Sequence, residues 1–329
     1  MIVKFFSNIY QVKKYWLKII QNSDIRFYQT YDFNKLCFEY RVTSISNIKK
    51  GNIKTSFAVA FKNNVPICIA PLIIDLKPYP TVGLLGTGSN AAKLDFIYNS
   101  KTQKSDIIEL FNICRKKYFD KKFSFIFVDE KSPLTECLEP TETFENYAIK
   151  IETYDDYFQS LSKSTRQNIR TAYNRMNKDN LKYALTRYDF NSLGIEEVIK
   201  ECNIIYQKRR LIWENKSEMP PKKVINKVRK RDIVYKTMRL CPAAVIYTLL
   251  INNKIAAFFM GYEYRDIIYI PRLAINDEFS KYSPGFIIIN EYLKAVNKVD
   301  YIFDLGRGEE SYKTKLKGEL SRTFLIADT

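Results

Sequence analysis

The chain has 329 residues, a formal net charge of +17, 46% hydrophobic residues, 15% aromatic residues and no histidine. This composition excludes a disordered chain, and the length predicts two domains that each bury a core. Without histidine, Ser-His-Asp and Cys-His nucleophiles and every metal site built on imidazole are excluded.

The cysteine pattern and the N-terminal residues are used to predict the cellular compartment of the protein. The six cysteines include no Cys-x-x-Cys pair, so we expect neither a disulfide framework nor a zinc site, and no other metal. Residues 1–10 hold no sustained apolar core, so we expect no signal peptide. No apolar run approaches the ~20 residues of a membrane-spanning helix. The sequence therefore predicts a cytoplasmic protein and leaves its oligomeric state open.

The first predicted element is a hairpin. Residues 56–72 form two apolar runs on either side of the Asn-Asn pair at 63–64, and asparagine tolerates the left-handed backbone of a tight turn. Three glycines follow, Gly83, Gly86 and Gly88. We read them as turn residues, with a wall of a binding cleft as the alternative.

A helix is predicted beyond residues 139–144, where proline and polar residues interrupt the apolar pattern. Within residues 156–177, six positions fall on one helical stripe that we expect to be buried: Phe158, Leu161, Thr165, Ile169, Ala172 and Met176. Lys163, Arg166 and Arg170 share another face. Periodicity alone favours a solvated face there, and contact with an anion is the alternative.

Residues 207–239 are strongly basic. Twelve basic residues against three acidic ones give this segment a net charge of +9, about half of the excess of the whole chain. We rank three interpretations in order: a solvated helical surface, an electrostatic funnel for a polyanionic substrate, and nucleic-acid binding that includes tRNA.

A second hairpin is predicted in residues 245–262, around the Asn-Asn pair at 252–253. Two hairpins in corresponding contexts indicate a duplicated fold. We therefore predict an α/β (α+β) protein of two tandem copies, each a twisted mixed β-sheet with helices on both faces. The N-terminal domain would span residues 1–145 and the C-terminal domain residues 146–329.

A strand, a loop and a helix are predicted next. Residues 267–274 read as a strand, and Ser283 and Pro284 are typical of a helix N-cap and first helical position. Gly285 keeps the first turn free of a Cβ. The N–H groups of such a helix start form an anion site suited to a pyrophosphate, and Lys281 adds a charge beside it. The alternative is an ordinary capped helix packed on a sheet.

The most informative stretch is residues 301–313. It begins as a short apolar strand that ends at Asp304, and Gly306 and Gly308 then flank Arg307. A carboxylate at the end of a buried strand, followed by backbone that can approach a ligand closely, is typical of sites in α/β proteins. A strand that ends in a glycine-rich turn is the alternative.

Ser283-Pro-Gly285, followed by Phe-Asp-Leu-Gly-Arg-Gly-Glu-Glu-Ser-Tyr-Lys at 303–313, resembles the acyl-CoA half-site of the GNAT acyltransferases. More narrowly, these motifs are similar to the acyltransferase family typed by the CelD/BcsL cellulose-biosynthesis proteins, which is related to the FemAB-like transferases. Residues 56–71, 84–90 and 161–170 extend the resemblance over much of the chain. Only the C-terminal copy carries the cofactor motif.

The resemblance implies an acyl-CoA-dependent N-acyltransferase, with acetyl-CoA or another acyl-CoA as co-substrate. Its acceptor would be an amino-sugar, a nucleotide-sugar or a related precursor of a cell-envelope polysaccharide. Pantetheine would lie along residues 267–274. The cofactor-binding residues would be Lys281, Ser283, Gly285 and Phe286.

For the chemistry, we expect Asp304 to act as a base or to orient the amine, and Tyr312 to protonate the leaving thiolate. Lys313 would stabilise the oxyanion or bind an acceptor phosphate. A structural role for Asp304, held by the turn at 306–308 or paired with Arg307, has equal weight.

The resemblance also places the helix of Lys163, Arg166 and Arg170 near the acceptor cleft. Together with Arg307, these residues would meet an anionic small-molecule acceptor. Two alternatives remain open: a FemAB-like transferase that uses aminoacyl-tRNA, and a catalytically silent basic binding protein. As a partner, tRNA ranks behind the small-molecule acceptor.

Overall fold

The computed structural model describes the chain except residues 22, 24, 42–51, 77–79, 90, 214–232, 297 and 329. The chain divides into two compact units. Unit 1 comprises Met1–Asn146 and Ser321–Thr329, and unit 2 comprises Tyr147–Leu320. The last strand of the chain thus contributes most of its residues to unit 1, whereas the sequence-based division placed it in the second domain.

The helices of the described residues are α1 (Ile9–Ile20), α2 (Tyr31–Arg41), α3 (Lys104–Lys117), α4 (Tyr154–Ser160), α5 (Lys163–Lys178), α6 (Ile195–Trp213), α7 (Ile233–Leu240), α8 (Pro284–Val296) and α9 (Ser311–Lys315). Their strands are β1 (Ile2–Phe6), β2 (Ile53–Lys62), β3 (Val65–Asp75), β4 (Thr81–Leu84), β5 (Ile97–Tyr98), β6 (Lys122–Asp129), β7 (Glu139–Ile151), β8 (Tyr183–Asp189), β9 (Ala244–Ile251), β10 (Lys254–Tyr264), β11 (Ile267–Ile275), β12 (Tyr301–Arg307) and β13 (Glu319–Ala327). Three 3-10 helices, Phe27–Gln29, Pro133–Glu136 and Asp277–Tyr282, accompany them.

Unit 1 is built on a mixed sheet with the strand order β1-β2-β3-β4-β6-β13. Strands β1 to β4 pair antiparallel in turn, and β6 runs parallel to β4. Trp16, Phe57 and Phe111 are fully buried, and most residues of β2 and β3 are buried as well. Burial of such large apolar side chains, each contributing roughly 1.5–3 kcal/mol, gives this unit a core of its own.

Unit 2 has the strand order β8-β9-β10-β11-β12-β7. Strands β8 to β11 pair antiparallel, and β12 runs parallel to β11. Helix α8 packs on one face, where Ile288 and Tyr292 join a cluster with Phe259 and Phe303. On the other face, the Thr237 hydroxyl of α7 lies 2.8 Å from the hydroxyl of Tyr262. Helices therefore cover both faces of this sheet.

The two units repeat one order of elements. Each has a strand, two helices, an antiparallel hairpin, a fourth strand, a helix and a strand parallel to the fourth. These elements are β1, α1–α2, β2–β3, β4, α3 and β6 in unit 1, and β8, α6–α7, β9–β10, β11, α8 and β12 in unit 2. The predicted fold, a tandem pair of mixed-sheet α/β copies, is confirmed.

Both predicted hairpins form where the Asn-Asn pairs stand. Asn63 and Asn64 have φ of 48° and 61°, and Asn252 and Asn253 have φ of 47° and 61°. Positive φ at both central residues is the requirement of a type I′ turn, whose twist matches that of the flanking strands. The turns thus join β2 to β3 and β9 to β10 without a loop.

The predicted helix over 156–177 is divided in two. Its buried stripe is confirmed at Leu161, Thr165, Ile169, Ala172 and Met176, while Phe158 is partly buried. The chain leaves helical geometry at Leu161, which ends α4 with ψ of 149°. The Ser162 hydroxyl then accepts a hydrogen bond from the Thr165 N–H at 3.1 Å and starts α5 as its N-cap. The apolar spacing in the sequence continues across this break, because both helices pack on the same core.

Strand β12 continues to Arg307 rather than ending at Asp304. Of the basic segment 207–239, residues 214–232 lie outside the described residues.

Among the helices that the structure describes, none has the length and apolarity needed to cross a lipid bilayer.

Candidate active site

A pocket of about 370 Å³ opens in unit 2 between the end of β11, the start of α8 and the turn before α9. Each of these three segments was singled out in the sequence. The pocket is lined by Arg209, Leu273, Ala274, Ile275, Ser280, Ser283, Pro284, Gly285, Phe286, Glu310 and Tyr312.

The pocket lies where β11 and β12 part. Their parallel pairing runs from Ile267 opposite Ile302 to Tyr269 opposite Asp304. Beyond that point the backbone of β12 departs from regular strand geometry at Gly306, which has φ of +64°. A Cβ at Gly306 would lie 3.2 Å from the carbonyl oxygen of Ile270. A residue with a side chain would therefore be strained at this turn, both by the left-handed backbone and by the neighbouring strand.

The first turn of α8 offers fewer donors than the sequence predicted. Ser283 adopts the left-handed conformation, and its carbonyl accepts from Phe286 N–H at 3.0 Å and Ile287 N–H at 3.2 Å. Pro284 has no N–H. In the part of the chain that the structure describes, the Gly285 N–H and the Ser283 hydroxyl make no hydrogen bond. These two groups are the donors left for an anion at this helix start.

The predicted cation beside this helix start, Lys281, lies outside the pocket lining. Its ammonium is 2.9 Å from an Asp179 carboxylate oxygen, and its carbonyl accepts from Arg175 at 2.9 Å. The cation that lines the pocket is Arg209 of α6, 3.2 Å from an Asp277 carboxylate oxygen. Sequence reasoning placed Arg209 only in the basic segment, because its position depends on how α6 packs against β11.

The Lys313 side chain is hydrogen-bonded to backbone carbonyls. It is 1% exposed, and its ammonium donates to the carbonyls of Gly306 at 3.3 Å, Arg307 at 2.5 Å and Gly308 at 3.1 Å. The Glu310 carboxylate lies 3.0 Å away. Burial lowers the pKa of Lys313, and the Glu310 charge opposes that shift. The ammonium thus has an oxygen partner for every N–H and fixes the shape of the turn after β12.

Asp304 is buried beside this turn, with one carboxylate oxygen 2.8 Å from the Gly306 N–H. This is the hydrogen bond that the structural interpretation of Asp304 predicts. Paired residues of parallel strands project to one face, so Asp304 shares the face of Tyr269. Its neighbour Phe303 belongs to the α8 cluster on the opposite face. Asp304 therefore faces away from α8.

Tyr312 and Glu310 lie on the pocket wall. The Tyr312 ring packs on the core cluster of unit 2, and burial with the charge of Glu310 raises the pKa of its phenol. The phenol therefore stays protonated at neutral pH and can donate a hydrogen bond. Glu310 was part of the quoted motif without an assigned role. It is the carboxylate that lines the pocket.

The three basic residues of α5 that were predicted to meet the acceptor have separate contacts. The Arg166 guanidinium donates to the Gln159 and Leu161 carbonyls and so caps the end of α4. Arg170 lies over the Phe158 ring, 5.9 Å from its centroid, and Lys163 is exposed. All three stand in the first half of α5, whereas Arg175 at its far end reaches the Lys281 carbonyl. None of them lines the pocket.

Arg307 ends β12 and is half-buried, and its carbonyl is one of the three that Lys313 binds. Among the residues that the structure describes, no three His, Cys, Asp or Glu side chains gather in a way that could hold a metal ion.

Comparison with known proteins identifies the domain that contains this pocket. Residues 163–314 match the family described as the acetyltransferase (GNAT) domain. This span includes the whole pocket lining and the turn held by Lys313. The predicted resemblance to the GNAT acyltransferases is therefore confirmed over these residues, at the level of a GNAT-type domain. No curated protein sequence matches the chain.

Solved structures share the fold over the full length of the chain. A structure of FemX has a TM-score of 0.60 and 9% identity, covering 99% of this chain and 97% of that one. A conserved protein of Bacteroides thetaiotaomicron has a TM-score of 0.57 and 14% identity, covering 99% and 100%. A tandem GNAT protein from the clavulanic acid biosynthesis pathway has a TM-score of 0.51 and 7% identity, covering 99% and 98%. At these identities the likeness concerns the fold.

Proposed function

We propose that unit 2 is an acyl-CoA-dependent N-acyltransferase of the CelD/BcsL-like type. It would transfer the acyl group to an amine of an amino-sugar, a nucleotide-sugar or a related precursor of a cell-envelope polysaccharide. The observation that carries the proposal is the pocket where β11 and β12 part, which lies inside the GNAT-type domain and is bordered by the free Gly285 N–H.

The pocket supplies groups suited to a thioester-bearing nucleotide. The Gly285 N–H and the Ser283 hydroxyl would bind the pyrophosphate, and Arg209 adds positive charge on the same wall. Apolar side chains of Leu273, Ala274 and Phe286 would pack against pantetheine. Lys281 would contribute to the positive electrostatic potential of the pocket from a greater distance.

Transfer requires attack of the neutral amine nitrogen on the thioester carbonyl carbon, cleavage of the C–S bond and removal of one proton from nitrogen. Asp304 would accept that proton or orient the amine from the face opposite α8. The Tyr312 phenol would donate a hydrogen bond to the departing sulphur. Since a raised pKa disfavours loss of its proton, we assign Tyr312 the stabilisation of the thiolate rather than its full protonation.

The proposed acceptor is anionic. Arg307, at the end of β12, is the basic side chain nearest in sequence to Asp304 and is proposed to meet the acceptor. Lys163, Arg166 and Arg170 remain proposed contributors, although Arg166 also caps α4. Use of aminoacyl-tRNA as the donor would require the basic segment 207–239 to bind tRNA, and most of that segment lies outside the described residues. We therefore include tRNA binding among the outcomes of the test.

Acetyl-CoA binding, measured by thermal unfolding and calorimetric titration, tests the proposal. We expect acetyl-CoA to stabilise the protein, by about 2.7 kcal/mol at one hundred times its Kd. Gly285→Leu adds a side chain in the pocket wall and should abolish the effect, whereas Lys294→Leu, exposed on the same helix, should retain it. A screen for CoA thiol release with nucleotide-linked amino-sugars would then identify the acceptor.

The outcomes separate the alternatives. Tight, salt-sensitive tRNA binding without any response to acetyl-CoA would replace the proposal with the tRNA-dependent transferase. A response to neither would leave the binding protein without catalysis. Equal acetyl-CoA binding by wild type and Gly285→Leu would show that the site is elsewhere.

A further inference from the structure

Unit 1 has a pocket of its own, of about 230 Å³. It is formed by the chain after α1, the segment between β4 and α3, and the segment after β6. The active-site pocket of unit 2 is formed by α6, the segment between β11 and α8, and the segment after β12. In the duplicated order of elements these are corresponding places, so the first copy keeps an opening where the second copy has its candidate active site.

The unit 1 pocket differs in its chemistry. Its charged lining residues are two cations, Arg26 and Lys131, and two carboxylates, Asp95 and Asp129. Its volume corresponds to about eight water molecules at ~30 Å³ each, which suits a small ligand. A small ligand without net charge, but with both signs of charge, complements this lining.

Asp95 is one of the two carboxylates of the lining. It is 7% exposed, and one carboxylate oxygen accepts from the Phe96 N–H at 2.7 Å and the Ser132 hydroxyl at 2.9 Å. The other oxygen accepts from the Tyr98 hydroxyl at 2.9 Å and can accept one further hydrogen bond. No cation lies within ion-pair distance of Asp95 in the described part of the chain. Burial raises the pKa of Asp95 to about 6, against three hydrogen bonds and the more distant charge of Arg26, which lower it. Its charge is therefore costly until a cation arrives.

The two cations of the lining are Arg26 and Lys131. One Arg26 nitrogen is 2.9 Å from an Asp129 oxygen, and that oxygen also lies 3.8 Å from the Lys93 ammonium. Asp129 is thus neutralised inside the protein, and the other N–H groups of the planar Arg26 guanidinium remain for a ligand. Lys131 is exposed at the pocket and makes no ion pair among the described residues.

We propose that this pocket binds a small zwitterion of the amino-acid class, with its ammonium group against Asp95 and its carboxylate against Arg26 and Lys131. The ammonium would supply a cation within ion-pair distance of Asp95, closer than Arg26, and charge-assisted hydrogen bonds would hold both ends. The site is separate from acyl transfer, and its occupancy does not depend on that reaction.

The test uses the full chain without added acetyl-CoA. The twenty common amino acids are titrated at pH 7.5 by calorimetry, each with its amide, which lacks the carboxylate, and its N-acetyl derivative, which lacks the cation. We expect at least one amino acid to bind, and both of its derivatives to bind at least tenfold more weakly. Binding of an amide or an N-acetyl derivative as tight as that of its parent would overturn the proposal, as would no binding by any amino acid at 10 mM.

Two variants locate the site. Asp95→Asn keeps the shape of the side chain and should weaken binding at least tenfold, while Asp120→Asn, on the surface of the same unit, should not change it. If Asp95→Asn bound the amino acid as tightly as wild type, the site would not be this pocket. A cooperative thermal transition verifies that the Asp95→Asn protein is folded. If it is not folded, the comparison of each amino acid with its derivatives on wild type still tests the proposal.

Discussion

Lys313 is a buried ammonium surrounded by the carbonyls of Gly306, Arg307 and Gly308 and by the Glu310 carboxylate. Lys313→Met would keep most of the side-chain volume and leave these oxygens without their donor. We expect a loss of about 3–5 kcal/mol in the free energy of unfolding, the cost typical of breaking a buried charged network. Urea denaturation measures it.

The control for that variant is Lys315→Met, because Lys315 is exposed on the same short helix. It should change stability by less than about 0.5 kcal/mol. Equal stability of the two variants would mean that the Lys313 ammonium does not hold the turn.

Asp95 gives a second prediction, which concerns pH. Its folded-state pKa of about 6 lies above its ordinary value of 3.8, so the native state holds an extra proton between these values. The stability this contributes is fully present below about pH 4 and is lost as pH rises through 6. Relative to Asp95→Asn, wild type should lose up to about 3 kcal/mol over this window, from ~1.4 kcal/mol for each pKa unit. Chemical denaturation at pH 4 and pH 7.5 measures the difference, and a difference that does not change with pH would contradict the assignment.

At the scale of elements, the hairpin turns give a prediction that the sequence and the structure share. Asn64 has φ of 61° at the second turn position, where glycine adopts the same backbone without strain. Asn64→Gly should stabilise the protein by up to about 1 kcal/mol, and Asn64→Ala should destabilise it by about 1 kcal/mol. Asn253→Gly and Asn253→Ala should reproduce this pair of effects in the second hairpin. Thermal unfolding of the four variants measures these effects. If the alanine variants were as stable as the glycine variants, the assigned turn type would be wrong.

At the scale of the whole molecule, unit 1 is completed by the end of the chain. Thr323 and Ile326 are fully buried in it, β13 pairs with β6, and Asp328 accepts from the Phe123 N–H at 2.7 Å. Removing Ser321–Thr329 would open the edge of β6 and uncover these side chains. We expect the melting temperature to fall by ~10 °C or more, from at least ~4 kcal/mol of lost burial and hydrogen bonding. Removal of Thr329 alone is the control, and unchanged melting of the shorter chain would refute the role of this strand.

The sequence predicts more of the fold than of the candidate active site. The hairpins, the stripe from Leu161 to Met176 and the helix at Pro284 follow from local pattern, because apolar period and turn chemistry act over a few residues. The break at Ser162 was missed, since both helices bury the same stripe. Gly285 and Phe286, which one segment supplies, line the pocket, and their role in binding a cofactor stays a prediction.

Residues that reach the pocket from elsewhere were missed. Arg209 arrives through the packing of α6, and Lys281 is drawn to Asp179 instead. The unit 1 pocket joins Arg26 to Asp95 and Asp129, which are far apart in the chain. Such groupings depend on long-range packing that no local pattern contains.

By itself, the sequence determined the repeated hairpins, the absence of imidazole chemistry and the motif that resembles an acyl-CoA half-site, because each of these depends on residue type and local spacing. Only the tertiary structure decided which charges face a pocket and which are consumed by the protein. A buried ammonium binds the oxygens within ~3 Å of it, and for Lys313 these are carbonyls of the backbone turn and the Glu310 carboxylate.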